Sequence, residues 1–269
     1  PMVLLMDALG IQNTYIVLAV ITALIALLCW FVVRNHPSEK DLPSLESIIS
    51  EETGEPITES TSAKMKTRDA LKATFLSGRK FWPLAIWFFF LYGTIMLWQA
   101  SHAGSFYKSV YGFDIGTAGL MVTMVGIGMV FGCPLAGRIS DRILHSRKKV
   151  ILIGTAIYTV MWGIIWLTAG MDFMNNVGIQ AAINFLFGFF GGWFVVSYAQ
   201  IKELYPIAMA GTSTAALNLF PFAGGALLIT MAGFIVTSKT LVQYQTLWMI
   251  AFFMMVVSLI CAFLTVEKG

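Results

Sequence analysis

The chain has 269 residues, of which 58% are hydrophobic and only 12% charged, with a formal net charge of +3. A soluble domain carries about a quarter of its residues charged, so this composition excludes an ordinary soluble protein and points to a chain solvated mainly by lipid. The three cysteines, Cys29, Cys133 and Cys261, lie in or beside apolar runs, and the three histidines, His36, His102 and His145, are scattered. Neither set has the spacing of a disulfide framework or a metal site.

Seven stretches free of Asp, Glu, Lys and Arg follow in chain order: Thr14–Val33, Phe81–Ala103, Ile115–Ala136, Val150–Gly170, Val177–Ala199, Thr212–Val236 and Tyr244–Val266. Each is long enough to cross a hydrocarbon layer of about 30 Å as a helix rising about 1.5 Å per residue. The expected fold is therefore an all-α membrane protein with seven transmembrane helices. The first stretch has neither a basic front nor a small-residue cleavage site, so it does not read as a secretory signal.

The connection Arg34–Lys80 is the only long one. Its middle, PSLESIISEETGEPITESTSAK, is polar and rich in Glu, Ser and Thr, and the connection as a whole, with eight acids and eight bases, carries no net charge and reads as a flexible linker. Thr67–Arg79 places Leu71, Phe75 and Leu76 near one face. It suits a short amphipathic helix on the membrane surface, or equally a solvated lead-in to the next span. All 17 bases except Lys108 and Lys239 fall on one side of the membrane. Lys and Arg collect in cytoplasmic loops, so the 34–80 linker and the C-terminus are expected in the cytoplasm, in a plasma or inner membrane.

Between the third and fourth stretches stands GRISDRILHSRKK, Gly137–Lys149, with five bases and one acid in thirteen residues. Gly137 permits close backbone approach, and Asp141 can accept hydrogen bonds from a helix N-terminus. Arg142 and Arg147 can bridge carboxylates or carbonyls of a neighbouring helix. Such contacts would close one membrane face, although fixing topology is by itself a sufficient use for the bases. A second polar stretch, KELYPIAMAGTS, spans Lys202–Ser213.

These two loops carry a resemblance. Gly137, Asp141 and Arg142 match the spacing of the G-x-x-x-D-R-x-G-R-K/R loop found between the second and third helices of each six-helix bundle in the major facilitator superfamily. Ser146 stands where Gly is usual, and the basic tail Arg147, Lys148, Lys149 comes two positions late. Glu203, Pro206, Gly211 and Thr212 match the family's E-x-x-P-x-x-x-R-G-T, with Ala210 in place of Arg. That substitution leaves Glu203 to pair with Arg138 or Arg142. PMVLLMDALGIQNTYIVLAV resembles the end of a fifth helix, an outer loop and a sixth helix, with Pro1 in the place of a late glycine-proline motif.

The resemblance implies a major-facilitator-like helical bundle and covers the second half of such a transporter. Residues 1–33 would end the first bundle, 34–80 would be the cytoplasmic linker and 81–269 the second six-helix bundle. It implies a missing N-terminal bundle as partner, beside the lipid bilayer and a small-molecule solute. Gly137, Asp141, Arg142, Arg147, Lys148 and Glu203 would then form a cytoplasmic gate motif that stabilises the outward-facing state.

Substrate in such proteins sits near the bilayer midplane, where polar side chains are costly and often face a cavity or a partner. Tyr92 and Gln99, seven apart, share a helix face, with His102 at the outer end. Asn184 and Tyr198 repeat through Gly191 at the same interval, and Asn218 and Phe222 flank Pro221. Pro221 cannot donate a hydrogen bond to Leu217 and is the expected hinge. Interhelical hydrogen bonding serves Gln99 and Asn184 equally well, and packing serves the tyrosines.

None of the seven stretches holds an acid or a base, so a coupling proton or an anionic solute would be held by the missing half. His102 is the only group here that titrates near neutral pH. The expected function is secondary active transport of a small organic solute by alternating access between two bundles. A seven-helix receptor or sensor is the alternative. No enzyme, cofactor, metal or nucleic acid is expected. Ser101 and His102 lack a third catalytic partner, and no G-x-x-x-x-G-K-S/T stretch for nucleotide exists.

Overall fold

The computed structural model describes residues 2–34, 43 and 66–267. Lipid offers nothing to a free backbone amide, which leaves the helix as the natural element for a chain this apolar. All regular structure among the described residues is helical: α1 Met2–Val32, α2 Thr67–Leu76, α3 Trp82–Met96, α4 Ala103–Val110, α5 Ile115–Arg138, α6 Arg147–Thr168, α7 Val177–Gly191, α8 Val196–Leu204, α9 Ile207–Ile235 and α10 Leu241–Leu264. Tight 3₁₀ turns (Gly192–Val195) or wide π turns (Leu97–His102, Ile139–Ile143) join or extend several of them. Seven continuous stretches, Ala8–Val32, Gly78–Val110, Ile115–Ile143, Arg147–Thr168, Val177–Leu204, Ile207–Ile235 and Leu241–Leu264, are long and apolar enough to cross a membrane.

The chain divides into two units, Pro1–Lys64 and Met65–Gly269. In the first, α1 breaks at Gly10, whose φ of 76° leaves the helical region. The outer loop expected there reduces to this one residue. Pro1 and residues 35–42 and 44–65 of the expected linker lie outside the described residues.

The second unit begins with α2, ahead of the boundary at 81 expected from sequence. This helix packs on α9 through buried Ala70 and Thr74, and the Phe75 ring meets Phe81 at 5.2 Å. Leu71 and Leu76 do not follow Phe75 inward; both are exposed.

Helix pairing in the bundle rests on small residues, as it must where lipid is no less apolar than a leucine. A Cβ added to Gly128 or Gly132 of α5 would collide with the carbonyl oxygens of Phe185 and Phe189 in α7. One added to Gly188 would meet that of Val125. Between α3 and α9 the same holds for Gly224 against Phe89, and a Cβ on Gly93 would lie 2.9 Å from the Gly224 carbonyl carbon. Among these backbones sits an aromatic core. Trp98 lies 4.8 Å from Trp248 and 5.8 Å from Trp162 between ring centres.

Helix starts are capped by side chains, with Ser146 for α6, Asn176 for α7 and Thr240 for α10. Asp114 accepts from the Gly116 and Thr117 amides at the start of α5. The Thr117 hydroxyl and amide hold its carboxyl below the ordinary value. Pro221 is buried within α9, which runs unbroken from Ile207 to Ile235.

Candidate functional site

Two groups of side chains stand out, one ionic at a bundle end and one aromatic on a helix face. The ionic group begins where α5 widens into the π turn Ile139–Ile143 and the chain reverses through His145 in left-handed geometry (φ 46°). A π turn carries more residues per turn than an α-helix. With the His145 reversal it brings Arg147 back over Asp141. The Arg147 guanidinium pairs with the Asp141 carboxylate, donates to Ser140 Oγ at 2.9 Å, and reaches Glu203 Oε1 through two nitrogens at 2.9 and 3.1 Å. One cation thus ties together the end of α5, the start of α6 and the end of α8.

Glu267, just beyond α10, completes the cluster. Its carboxylate accepts from Ser146 Oγ at 2.7 Å, from the Arg147 amide and, at 3.3 Å, from the Lys148 amide. An anion at a helix N-terminus is favoured by the exposed N–H groups and the helix dipole. The carboxylate role expected of Asp141 at a helix start therefore belongs to Glu267, while Asp141 serves the arginine. Glu203 pairs with Arg147 and not with Arg138 or Arg142, which are exposed and join no ion pair among the described residues. Lys148 takes part through its backbone N–H. Gly137 has nothing within 4 Å of an added Cβ, so no close approach requires glycine there. Glu267 carried no motif in the sequence. Its role arises only because α10 ends beside the start of α6.

The aromatic group gathers residues from α3, α8 and α9. Tyr92 lies 5.0 Å from Phe194 and 6.1 Å from Phe222, ring centre to centre. Phe88 backs them, 5.6 Å from both Phe194 and Tyr198. The Tyr198 hydroxyl donates to Asn218 Oδ1 at 2.6 Å. All but Phe88 are partly exposed, and Phe222 shows 54% of its surface. Four of the residues picked from sequence, Tyr92, Tyr198, Asn218 and Phe222, thus converge. Phe194 belongs with them but lies off the seven-residue repeat.

Asn184 does not join that face. It is fully buried, donates to Tyr107 Oη at 2.6 Å and to the Gln180 carbonyl at 2.7 Å, and accepts from Trp98 Nε1 at 2.9 Å. Its polarity is spent inside the bundle. The spacing from Asn184 through Gly191 to Tyr198 holds one face only along an uninterrupted α-helix. The 3₁₀ turn Gly192–Val195, with about three residues per turn, shifts the phase before Tyr198.

Gln99 and His102 sit on the π turn Leu97–His102. The Gln99 amide nitrogen lies 3.8 Å from where a Cβ on Gly126 would stand, and its side chain makes no hydrogen bond among the described residues. His102 Nδ1 is buried without a partner among them. The aromatic face is uncharged. It offers rings for stacking and a phenol–amide pair for hydrogen bonding.

The chain matches the Major Facilitator Superfamily model over residues 2–157 and 105–269. It is 28% identical to the membrane sensor protein UhpC of Escherichia coli over 204 residues, covering 74% of this chain and 44% of that protein. With UhpC of Salmonella typhimurium the figures are 27% over 233 residues, 83% and 51%. With the citrate-proton symporter of Salmonella typhi they are 31% over 90 residues, 32% and 20%. The chain thus spans about half the length, or less, of these curated relatives. The family matches together run nearly the length of the chain, over a helical bundle with seven membrane-length helices, and the chain belongs to the Major Facilitator Superfamily.

Proposed function

We propose that this chain supplies one bundle of a secondary active transporter that moves a small, neutral or amphipathic organic solute by alternating access. The observation that carries the reading is the Arg147 hub. Rocking one bundle against another requires contacts at a membrane face that hold in one state and release in the other. An arginine shared by two half-exposed carboxylates ties α5, α6 and α8 of this bundle together at such a face, where carboxylates and amides of a second bundle can compete for the same groups. The basic end is the cytoplasmic one on this reading, because Lys and Arg concentrate there. The solute stacks on Tyr92, Phe194 and Phe222 and bonds to the Tyr198–Asn218 pair, with Gln99 and His102 beside its path and Pro221 as hinge. With no acid or base on that face, the charge that couples transport lies outside this bundle.

Uptake of radiolabelled organic solutes into vesicles holding the full-length protein tests this. Arg147→Gln should cut uptake at least tenfold while binding persists, and Tyr198→Phe should raise the half-saturating concentration. Unchanged uptake in both variants would sink the proposal.

A second reading has its own support: the UhpC relatives, named membrane sensors, cover 74% and 83% of this chain. A sensor built on the same bundle would bind solute yet move none. Saturable binding with no uptake by the unaltered protein would decide for it.

A further inference from the structure

At the same end as Arg147 lies a cavity of about 720 Å³ whose walls include Ser77, Arg79, Lys80, Glu203, Tyr205 and Glu267. The first wall is the turn entering α3. It is set by Gly78 in left-handed geometry (φ 57°) and tied to the α8–α9 turn by a hydrogen bond between the Ser77 and Tyr205 hydroxyls. The two acids are already committed. Glu203 holds Arg147, and Glu267 holds Ser146 and the first amides of α6. Arg79 and Lys80 enter no ion pair among the described residues. The cavity therefore presents two cations without a carboxylate partner, with Glu203 neutralised by Arg147 and Glu267 turned to the amides of α6.

Large apolar side chains stand beside it in the open. Leu76 is 82% exposed and Trp82 41%, and Trp82 Nε1 donates to the Phe75 carbonyl at 3.0 Å, which binds α2 to the start of α3. Bases next to exposed Leu and Trp at the mouth of a membrane helix match the level where acyl chains give way to headgroups. Two adjacent cations suit the phosphate oxygens found there.

We propose that this cavity is a binding site for a phosphate group, held between Arg79 and Lys80 and supplied by an anionic phospholipid whose chains lie along Leu76 and Trp82. A soluble phosphate shares the headgroup chemistry but gains nothing from the apolar neighbours. The proposal rests on membrane insertion alone and stands or falls independently of transport.

The test is the affinity of the full chain, purified in uncharged detergent, for phosphatidylglycerol in mixed micelles, with phosphatidylcholine as the zwitterionic comparison. Arg79→Gln with Lys80→Gln should weaken phosphatidylglycerol binding at least tenfold. Lys66→Gln with Arg68→Gln, an equal loss of charge outside the cavity wall, should change it less than twofold. Millimolar inorganic phosphate should leave the lipid bound. Equal losses from the two pairs would reduce the effect to diffuse attraction and overturn the site. Displacement by inorganic phosphate would overturn the lipid as its source. If the double variant aggregates, Arg79→Gln and Lys80→Gln are measured singly. Each should then lose at least threefold, and no loss in either overturns the proposal.

Discussion

Helix α5 is held in two opposite ways along its length. Against α7, at Gly128, Gly132 and Gly188, no side chain stands between the backbones, and carbonyls and α-carbons meet directly. At its far end, Asp141 reaches its neighbours only through Arg147, in a cluster whose side chains are 21% to 55% exposed. The first contact has no slack and no substitute partner, since any displacement opens a void that lipid cannot fill. The second is charge against charge at the edge of water, where solvent stands ready to replace either partner. On the transport reading proposed above, a bundle made this way would move as one body and release at its end. That is the mechanical division a rocking transporter needs.

The rigid side of the comparison predicts the largest effect. Gly188→Leu would drive a side chain into the Val125 carbonyl. Overpacking commonly costs about 1–3 kcal/mol when side chains can give way, and here the obstacle is backbone, so most of the protein should fail to elute as a monodisperse species from detergent extracts. Gly137→Ala, with open space around it, should melt within about 2 °C of the parent. Comparable behaviour of the two variants would erase the distinction. Next comes Asn184→Leu, which leaves Trp98 Nε1 without its acceptor and Tyr107 without a donor. A buried polar group left unmatched costs about 1–3 kcal/mol, although interhelical bonds in membranes fall toward the low end. A drop of several degrees in the melting temperature, with solute affinity intact, would mark Asn184 as part of the rigid body. Loss of affinity at unchanged stability would return it to the binding face.

The spans were legible because lipid leaves few ways to satisfy a backbone, so runs without charge announce themselves. The loops were legible as a pattern but not as a circuit. Arg147 was visible two positions late, and nothing in the spacing revealed that a π turn and a left-handed His145 would return it to Asp141. Glu267 was invisible, because its partner at the start of α6 lies 120 residues away along the chain. On the aromatic face, a strict seven-residue repeat captured Tyr198 and missed Phe194, since the 3₁₀ turn that carries Phe194 breaks the phase. Irregular helix geometry, which depends on tertiary packing, is where periodicity stops informing.

The releasable side should respond in function more than in stability. Arg147→Gln leaves Asp141 and Glu203 facing each other's charge, but both carboxylates are more than a third exposed. Water screening should hold the loss of stability to about 1 kcal/mol. Uptake should nonetheless fall at least tenfold in the assay described above. A stability loss several times larger, with uptake spared, would make the cluster a structural staple and remove the contrast with the α5–α7 seam.

The smallest effect separates charge from hydrogen bonding within the latch itself. Glu267→Gln keeps an oxygen for the α6 amides, replaces the oxygen that accepts from the Ser146 hydroxyl with an NH2 group, and removes the negative charge at the helix start. A charge so placed contributes about 0.3–1 kcal/mol at low ionic strength, which corresponds to a melting shift of a few degrees at most. That difference should shrink toward zero at about 0.5 M salt, where screening falls off over a few ångströms. Glu267→Ala, which removes the acceptor as well, should keep a residual loss in high salt. If the two variants track each other at every salt concentration, the hydrogen-bond acceptor contributes nothing beyond the charge at this position, and the ionic end is held by charge alone.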